Sequence, residues 1–150
     1  MAGIRFREDD PIILGCIPDQ GCDLACILSI YTFVNRAAVP TYEEIGGCLS
    51  RAVRAGMMPP PAGGWYRLAP GWRARLHERD DRYSATEYGL FEVAEEFASQ
   101  EWPELAGLAY TLDLAEYERA ADAVGREHDR VFGSRAKRAE PGAAPDRGGM

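Results

Sequence analysis

A helix stop followed at once by a helix start constrains this chain more than any other feature. Both signals lie in VNRAAVPTYEEI, residues 34–45. Pro40 disfavours helical backbone in the residue before it, so a helix arriving from the N-terminal side should end near Ala38. Thr41 and Glu44 have the spacing of a capping box, which starts a second helix. The pattern predicts two helices joined by a short turn.

The helix before this turn is expected to start at a cap formed by Asp19. Its apolar residues recur at helical spacing and predict one buried face, formed by Leu24, Ile27, Leu28, Tyr31 and Val34. The apolar run at 11–17, PIILGCI, is too short for periodicity to separate a strand from the first turns of a helix.

The second helix and the segment after it extend the pattern. Its buried stripe should contain Ile45, Leu49, Ala52 and Val53, with Arg51 and Arg54 on the exposed side and Gly56 at its end. Residues 57–72, MMPPPAGGWYRLAPGW, predict a hairpin whose first arm is confined to an edge by its prolines. Helix, turn, helix and hairpin in this order outline a winged helix.

Two further capping patterns predict helices in the C-terminal half. Ser84 with Glu87 would start one helix, and Asp113 with Glu116 another, which carries His128 on its apolar side. The expected fold is α+β and mostly helical, with a winged-helix-like module followed by two packed helices. Its parts are a flexible N-terminus at 1–10, the winged-helix-like domain at 11–76, a helical extension packed on it at 77–133 and a disordered tail at 134–150.

Residues 35–68 resemble a pattern found in uncharacterised bacterial proteins with a winged-helix-like domain. In that family an Asn-His-Ala-aliphatic-Pro-Thr-Tyr-Glu-Glu-aliphatic segment leads into a helix, then a Gly and a short hairpin ending in Tyr-x-Leu-Thr. The matching residues are Asn35, Ala37, Val39, Pro40, Thr41, Tyr42, Glu43, Glu44, Ile45, Leu49, Arg51, Gly56, Tyr66 and Leu68. Arg36 replaces the family's His, an extra Ala precedes Val39, and Ala69 replaces the last Thr. The resemblance implies the fold and a bacterial source, and it implies no established activity.

The charge distribution leaves two classes of partner open. The chain has a net charge of −7, but residues 36–79 carry seven Arg and three Glu, a net of +4, whereas residues 81–133 carry four Arg and thirteen acids, a net of −9. A basic strip could contact DNA, or it could attract the acidic half within one chain or in a homodimer. The candidate contact residues are Arg36, Arg51, Arg54, Trp65, Arg67, Arg73 and Arg75.

Protein binding is the leading hypothesis, and a DNA-binding transcriptional regulator is the alternative. Residues 41–56 provide about one and a half helices, so either a helix breaks at Gly46 and Gly47 or the DNA-recognition helix is missing. The aromatic group formed by Trp65, Tyr66 and Trp72 would suit a protein interface. We therefore expect an adaptor or regulatory protein.

No pattern in the sequence indicates catalysis. Glu43 and Glu44 are adjacent and would point about 100° apart on a helix, so capping explains them better than a carboxylate pair does. Cys22 and Cys26 share a helical spacing, yet His77 and His128 lie far away, which favours reduced core thiols over a metal centre. We expect no catalytic, cofactor-binding or metal site.

The location of the protein is predicted from the lack of targeting signals. MAGIRFREDD at the N-terminus has no apolar segment of the kind found in a signal peptide. No apolar run in the chain approaches the length needed to cross a membrane. The sequence therefore predicts a cytoplasmic protein with no membrane partner.

Overall fold

The computed structural model describes residues 3–35, 38–76 and 98–133, and within these ranges it is mostly helical. The helices are α1 (Asp10–Leu14), α2 (Leu24–Asn35), α3 (Tyr42–Arg54), α4 (Trp72–Leu76) and α5 (Leu114–His128), and α5 continues as a π-helical turn at Asp129–Gly133. The β structure in these ranges consists of three isolated bridges. The prediction of a mostly helical fold is confirmed.

The predicted capping box starts α3. Thr41 Oγ1 accepts a hydrogen bond from the Glu44 N–H at 3.1 Å, and Glu44 Oε1 accepts one from the Thr41 N–H at 2.8 Å. The helix runs without interruption through Gly46 and Gly47, so the break considered there does not occur. The second helix therefore has the extent predicted from Thr41 and Gly56.

The predicted Gly56 ends α3. Its φ of 79° lies in the left-handed region, where glycine is favoured. The Gly56 N–H donates to the Val53 carbonyl, and the Met57 N–H donates to the Ala52 carbonyl at 2.9 Å. This pair of bonds forms a Schellman motif, which satisfies the last carbonyls of the helix and directs Met57 into the core.

The start of α2 differs from the prediction. Asp23, rather than Asp19, caps the helix, because its Oδ1 accepts a hydrogen bond from the Cys26 N–H at 2.9 Å. The residue before Asp23 forms a β-bridge in place of a helical turn, since Cys22 and Tyr66 exchange two backbone hydrogen bonds of 2.9 and 2.8 Å. Gly21 permits this bridge with a φ of 85°, and a Cβ there would lie 2.5 Å from Trp65 Nε1.

The apolar face of α2 is buried as expected at Leu24, Ile27 and Leu28. The helix ends at Asn35, and the side chains of Val34 and Asn35 lie outside the described part of the structure. The alternatives left open for residues 11–17 are settled in favour of a helix, because this run begins with the short α1, which has a proline near its start.

Residues 57–69, called the hairpin segment below, fold back on themselves as predicted. Gly63 and Gly64 have φ values of 63° and 74°, and the Trp65 N–H donates to the Ala62 carbonyl at 3.2 Å, as in a two-residue hairpin turn. Residues 59–61 are prolines and lack N–H groups, so they donate no ladder hydrogen bonds. The next bond between the arms joins the Ala69 N–H to the Met57 carbonyl.

The N-terminal segment at 1–10, expected to be flexible, contributes two apolar residues to the core. Ile4 and Phe6 are buried, and Ile4 exchanges two 2.8 Å backbone hydrogen bonds with Trp102. The Phe6 and Trp102 rings meet edge to face, with their centroids 6.0 Å apart. The burial of these two apolar residues thus holds the segment in place although most of its other residues are charged.

Helix α5 packs on α2 and begins, as predicted, at Asp113. The Asp113 carboxylate accepts a hydrogen bond from the Glu116 N–H at 3.0 Å. His128 is half-buried near the end of the helix, with its ring centroid 5.9 Å from that of Phe33. The helix predicted from Ser84, the residue His77 and the tail at 134–150 lie outside the described residues.

The capping box should contribute measurably to stability. Changing Thr41→Ala removes the side-chain bond to the Glu44 N–H, and we expect the free energy of unfolding to fall by about 1 kcal/mol. Urea denaturation followed by circular dichroism measures the change. The control is Thr111→Ala, an exposed threonine whose side chain is not the cap of a helix, since Asp113 caps α5; this change should alter stability by less than about 0.5 kcal/mol. Equal effects of the two changes would contradict the capping role.

Candidate interaction surface

Arg51 lies in a different environment from the exposed one predicted. Its Nε and a terminal nitrogen donate to the two carboxylate oxygens of Asp10 at 2.7 and 2.9 Å. The Asp10 side chain is 2% exposed and that of Arg51 is 16% exposed. Burial lowers the pKa of Arg51, but the hydrogen bonds and charge of Asp10 outweigh it and raise the pKa. Arg51 therefore ties α3 to α1.

Arg54 is the second arginine of α3, and it faces the C-terminal part of the chain. Its Nε lies 3.9 Å from the Glu104 carboxylate, a distance too long for a hydrogen bond. Among the described residues this buried nitrogen has no hydrogen-bond partner. Arg54 thus meets an acidic residue in an ion pair with imperfect geometry.

Of the remaining candidate contact residues, Trp65 and Arg67 lie together beside Gly21, whereas Arg75 packs on two tryptophan rings. Trp65 is half exposed, and its indole N–H donates to the Gln20 carbonyl at 3.1 Å. Arg67 is exposed, and its Nε donates to the Asp19 carbonyl. The Arg75 guanidinium lies 4.9 Å from the centre of the Trp72 ring and 5.1 Å from that of Trp102. Arg36 and the side chain of Arg73 lie outside the described part of the structure.

Residues 104–112, called the cover segment below, run along the outer side of α3. At one end the Leu105 N–H donates to the Arg54 carbonyl at 2.8 Å. At the other end the Tyr42 hydroxyl donates to the Leu112 carbonyl at 2.6 Å, and Leu112 lies against Gly46. The segment therefore runs antiparallel to α3 and covers the helix from its last turn to its first.

Tyrosine hydroxyls anchor the cover segment and the start of α5. The buried Tyr66 hydroxyl donates to Glu116 Oε2 at 2.7 Å and lies 2.7 Å from the Tyr110 hydroxyl. The Tyr117 hydroxyl donates to the Pro40 carbonyl at 2.6 Å. Burial raises the pKa of Tyr66, and the hydrogen bonds to Tyr110 and Glu116 raise it further, so the hydroxyl stays protonated as a donor. Glu116 thus bonds a distant tyrosine, and this role was missed in the sequence.

A groove with a volume of about 840 Å³ lies between the hairpin segment, the start of α4 and the cover segment. Its walls are mostly apolar, and Asp19 and Arg67 are the charged residues that line it. The apolar lining residues are Pro18, Gly56, Met58, Pro59, Pro60, Leu68, Ala69, Pro70, Gly71, Ala74, Leu105 and Leu108. Leu105 remains 45% exposed there. The groove has the size and apolar character of a binding site.

The cysteines have the properties of core thiols. All four are free, and Cys16, Cys22 and Cys48 are buried. Burial raises the pKa of Cys22, as does its contact with Cys26, and burial also raises the pKa of Cys48. Protonated thiols are poor nucleophiles and poor metal ligands. Within the described residues, no cluster of three or more His, Cys, Asp or Glu side chains could hold a metal ion.

Comparison with protein-family models, with curated proteins and with solved structures finds no match to this chain. Across residues 3–35, 38–76 and 98–133, no helix is both long and apolar enough to span a membrane.

The ion pair between Asp10 and Arg51 should contribute strongly to stability. Replacing Arg51→Ala leaves the Asp10 carboxylate buried without its cation, and we expect the free energy of unfolding to fall by about 3–5 kcal/mol. Chemical denaturation measures the change. The double replacement Asp10→Asn with Arg51→Met removes both charges and should recover part of the loss.

The matched control for this change is Arg126→Ala, which breaks an exposed ion pair with Asp122 on α5. Exposed pairs contribute about 0–1 kcal/mol, so this variant should be nearly as stable as the unmodified protein. A loss in Arg51→Ala no larger than in Arg126→Ala would show that Arg51 does not hold α1 on α3.

Proposed function

We propose that this chain is a non-catalytic adaptor or regulatory protein with a winged-helix-like core, which binds a partner protein through the groove beside its hairpin segment. The observation that carries the proposal is the groove itself. It is apolar and bordered by exposed Leu105, and the charged residues lining it are Asp19 and Arg67. Such a site fits an extended protein segment that inserts apolar side chains.

The order of elements supports the winged-helix-like core. A short helix, a bridge residue at Cys22, two helices joined by a turn and then a hairpin follow one another along the chain. The return arm of the hairpin contacts both neighbours, because Tyr66 pairs with Cys22 while Ala69 bonds Met57. A winged helix has the same succession, with the last strand between the other two.

Two features favour a protein partner over DNA. In a DNA-binding winged helix the helix after the turn enters the major groove with basic side chains exposed. Here the equivalent helix is α3, and the cover segment lies along it. Its two arginines face Asp10 and Glu104, and its exposed residues are the acidic Glu43 and Glu44. This arrangement would repel phosphates.

A groove-filling variant tests the proposal. We expect selection from a random peptide display library to enrich extended apolar peptides that bind the full chain with micromolar affinity. Ala74→Trp places a large ring in the groove from an exposed position on α4, and it should weaken that binding at least ten-fold. Ala123→Trp is the matched control on α5 and should leave binding unchanged. A lack of enriched peptides, or equal binding by both variants, would contradict the proposed function.

DNA binding, the competing function, is tested by titrating duplex DNA at low and moderate salt. We expect no binding at either salt concentration, because the basic side chains of α3 face acidic residues. A DNA complex that weakens steeply with salt would overturn the adaptor proposal if Arg67→Glu abolished it. In that test Arg126→Glu, the same charge change on exposed α5, should leave the complex intact.

A further inference from the structure

The cover segment shows what kind of chain binds to α3. Its three leucines, Leu105, Leu108 and Leu112, are spaced three and four residues apart, and they point to successive places on the surface formed by α3 and the hairpin segment. Leu105 contacts the position of Gly56, and Leu112 is buried against Gly46. Leu108 lies in the wall of the groove. Glu104, before the first leucine, faces Arg54.

The attachment of this segment has the features of a reversible contact. Leu105 is 45% exposed, and residues 106, 107, 109 and 111 are also exposed. The segment has no helical or strand structure, and Arg54 Nε, which faces it, finds no hydrogen-bond partner among the residues that the structure describes. A buried unsatisfied donor is unfavourable, and segments with few buried contacts open locally at low free energy.

We propose that the outer face of α3 is a peptide-binding surface, which the chain's own residues 104–112 occupy as an internal ligand. The external ligand is an extended segment of a partner protein with the same chemistry. It carries a carboxylate followed by leucines three and four residues apart, and it displaces the cover segment. This inference rests on the proposed protein-binding function and extends it from the groove to the neighbouring α3.

Several contacts define what the partner segment must provide. Its first peptide N–H takes the place of that of Leu105 on the Arg54 carbonyl, which otherwise lacks a partner at the helix end. Its last carbonyl accepts from the Tyr42 hydroxyl. A tyrosine two residues before the last leucine would meet the hydroxyl of Tyr66, as Tyr110 does. The surface therefore selects for an extended backbone, because a helix could not reach these points together.

Competition between the internal and an external segment provides the test. The probe is a fluorescently labelled synthetic peptide with the sequence of residues 103–113, PELAGLAYTLD, titrated into the full chain and followed by anisotropy. Leu105→Ala in the protein weakens the internal segment but leaves the peptide unchanged. The peptide can bind only to molecules whose cover segment has left α3, so its apparent affinity is reduced in proportion to the fraction of such molecules. Leu105→Ala increases that fraction, and the variant should bind the peptide roughly five-fold more tightly than the unmodified chain does.

The matched control is Leu114→Ala, which removes a leucine of similar exposure just beyond the cover segment. It should bind the peptide as the unmodified chain does. Equal affinities of the Leu105→Ala and Leu114→Ala variants would overturn the inference. Dimerisation of Leu105→Ala without peptide binding would also overturn it, in favour of segment exchange between two copies.

The failures of the two proposals can be told apart. Selection of groove peptides depends on Ala74, which belongs to α4, whereas the peptide of residues 103–113 binds along α3. Peptides that bind the groove while the 103–113 peptide fails would overturn only the inference about α3. Binding of the 103–113 peptide in the absence of any groove ligand would instead remove the groove proposal and leave α3 as the binding surface.

Discussion

The buried ion pair between Asp10 and Arg51 is the contact on which the arrangement of the N-terminal half depends. Asp10 accepts both guanidinium hydrogen bonds and, in addition, the Arg7 N–H at 2.8 Å. Because a buried carboxylate is stable only with such partners, this site fixes the position of α1 against α3. Helix α1 meets α3 at Cys48 and Arg51, whereas the cover segment meets it at Tyr42, Gly46 and Arg54. The ion pair thus determines which face of α3 remains for other contacts.

Tyr66 has a corresponding role for the C-terminal part of the chain. Its backbone pairs with Cys22, and its hydroxyl reaches both Tyr110 and Glu116. One buried residue therefore connects the segment before α2, the hairpin segment, the cover segment and α5. A polar network of this kind favours a single arrangement, since each alternative would leave a hydroxyl or carboxylate without a partner. The cover segment is consequently held by hydrogen bonds at Leu105, Tyr110 and Leu112, and Leu108 packs against the core between them.

Local signals in the sequence predicted the start and end of α3, the start of α5 and the glycine turn of the hairpin segment. Each depends on one residue or on residues at most three apart, so a short stretch of sequence contains the whole interaction. The partners of Arg51 and Glu116 could not be predicted, because Asp10 and Tyr66 lie 41 and 50 residues away. The cap of α2 at Asp23, where the sequence predicted Asp19, depends for a similar reason on the bridge from Cys22 to Tyr66, which is non-local.

The candidate surface was only partly predictable. The arginines and Trp65 were identified from composition, but a helical wheel cannot show that another segment covers a helix face. The leucines of residues 104–112 have a helical spacing, although the segment is not helical, so the pattern would favour a helix and does not mark the segment as a contact with α3. The groove likewise depends on the spacing between three segments and has no sequence pattern of its own.

The three consecutive prolines of the hairpin segment have a consequence for behaviour at high concentration. An exposed strand edge with free N–H and C=O groups can pair with the edge of another molecule and start β-aggregation. Residues 59–61 form the outer arm and have no N–H groups to donate, so a second chain finds an incomplete template there. The prolines limit the hydrogen-bond ladder within the hairpin segment. For the same reason they hinder pairing between this edge and a neighbouring molecule.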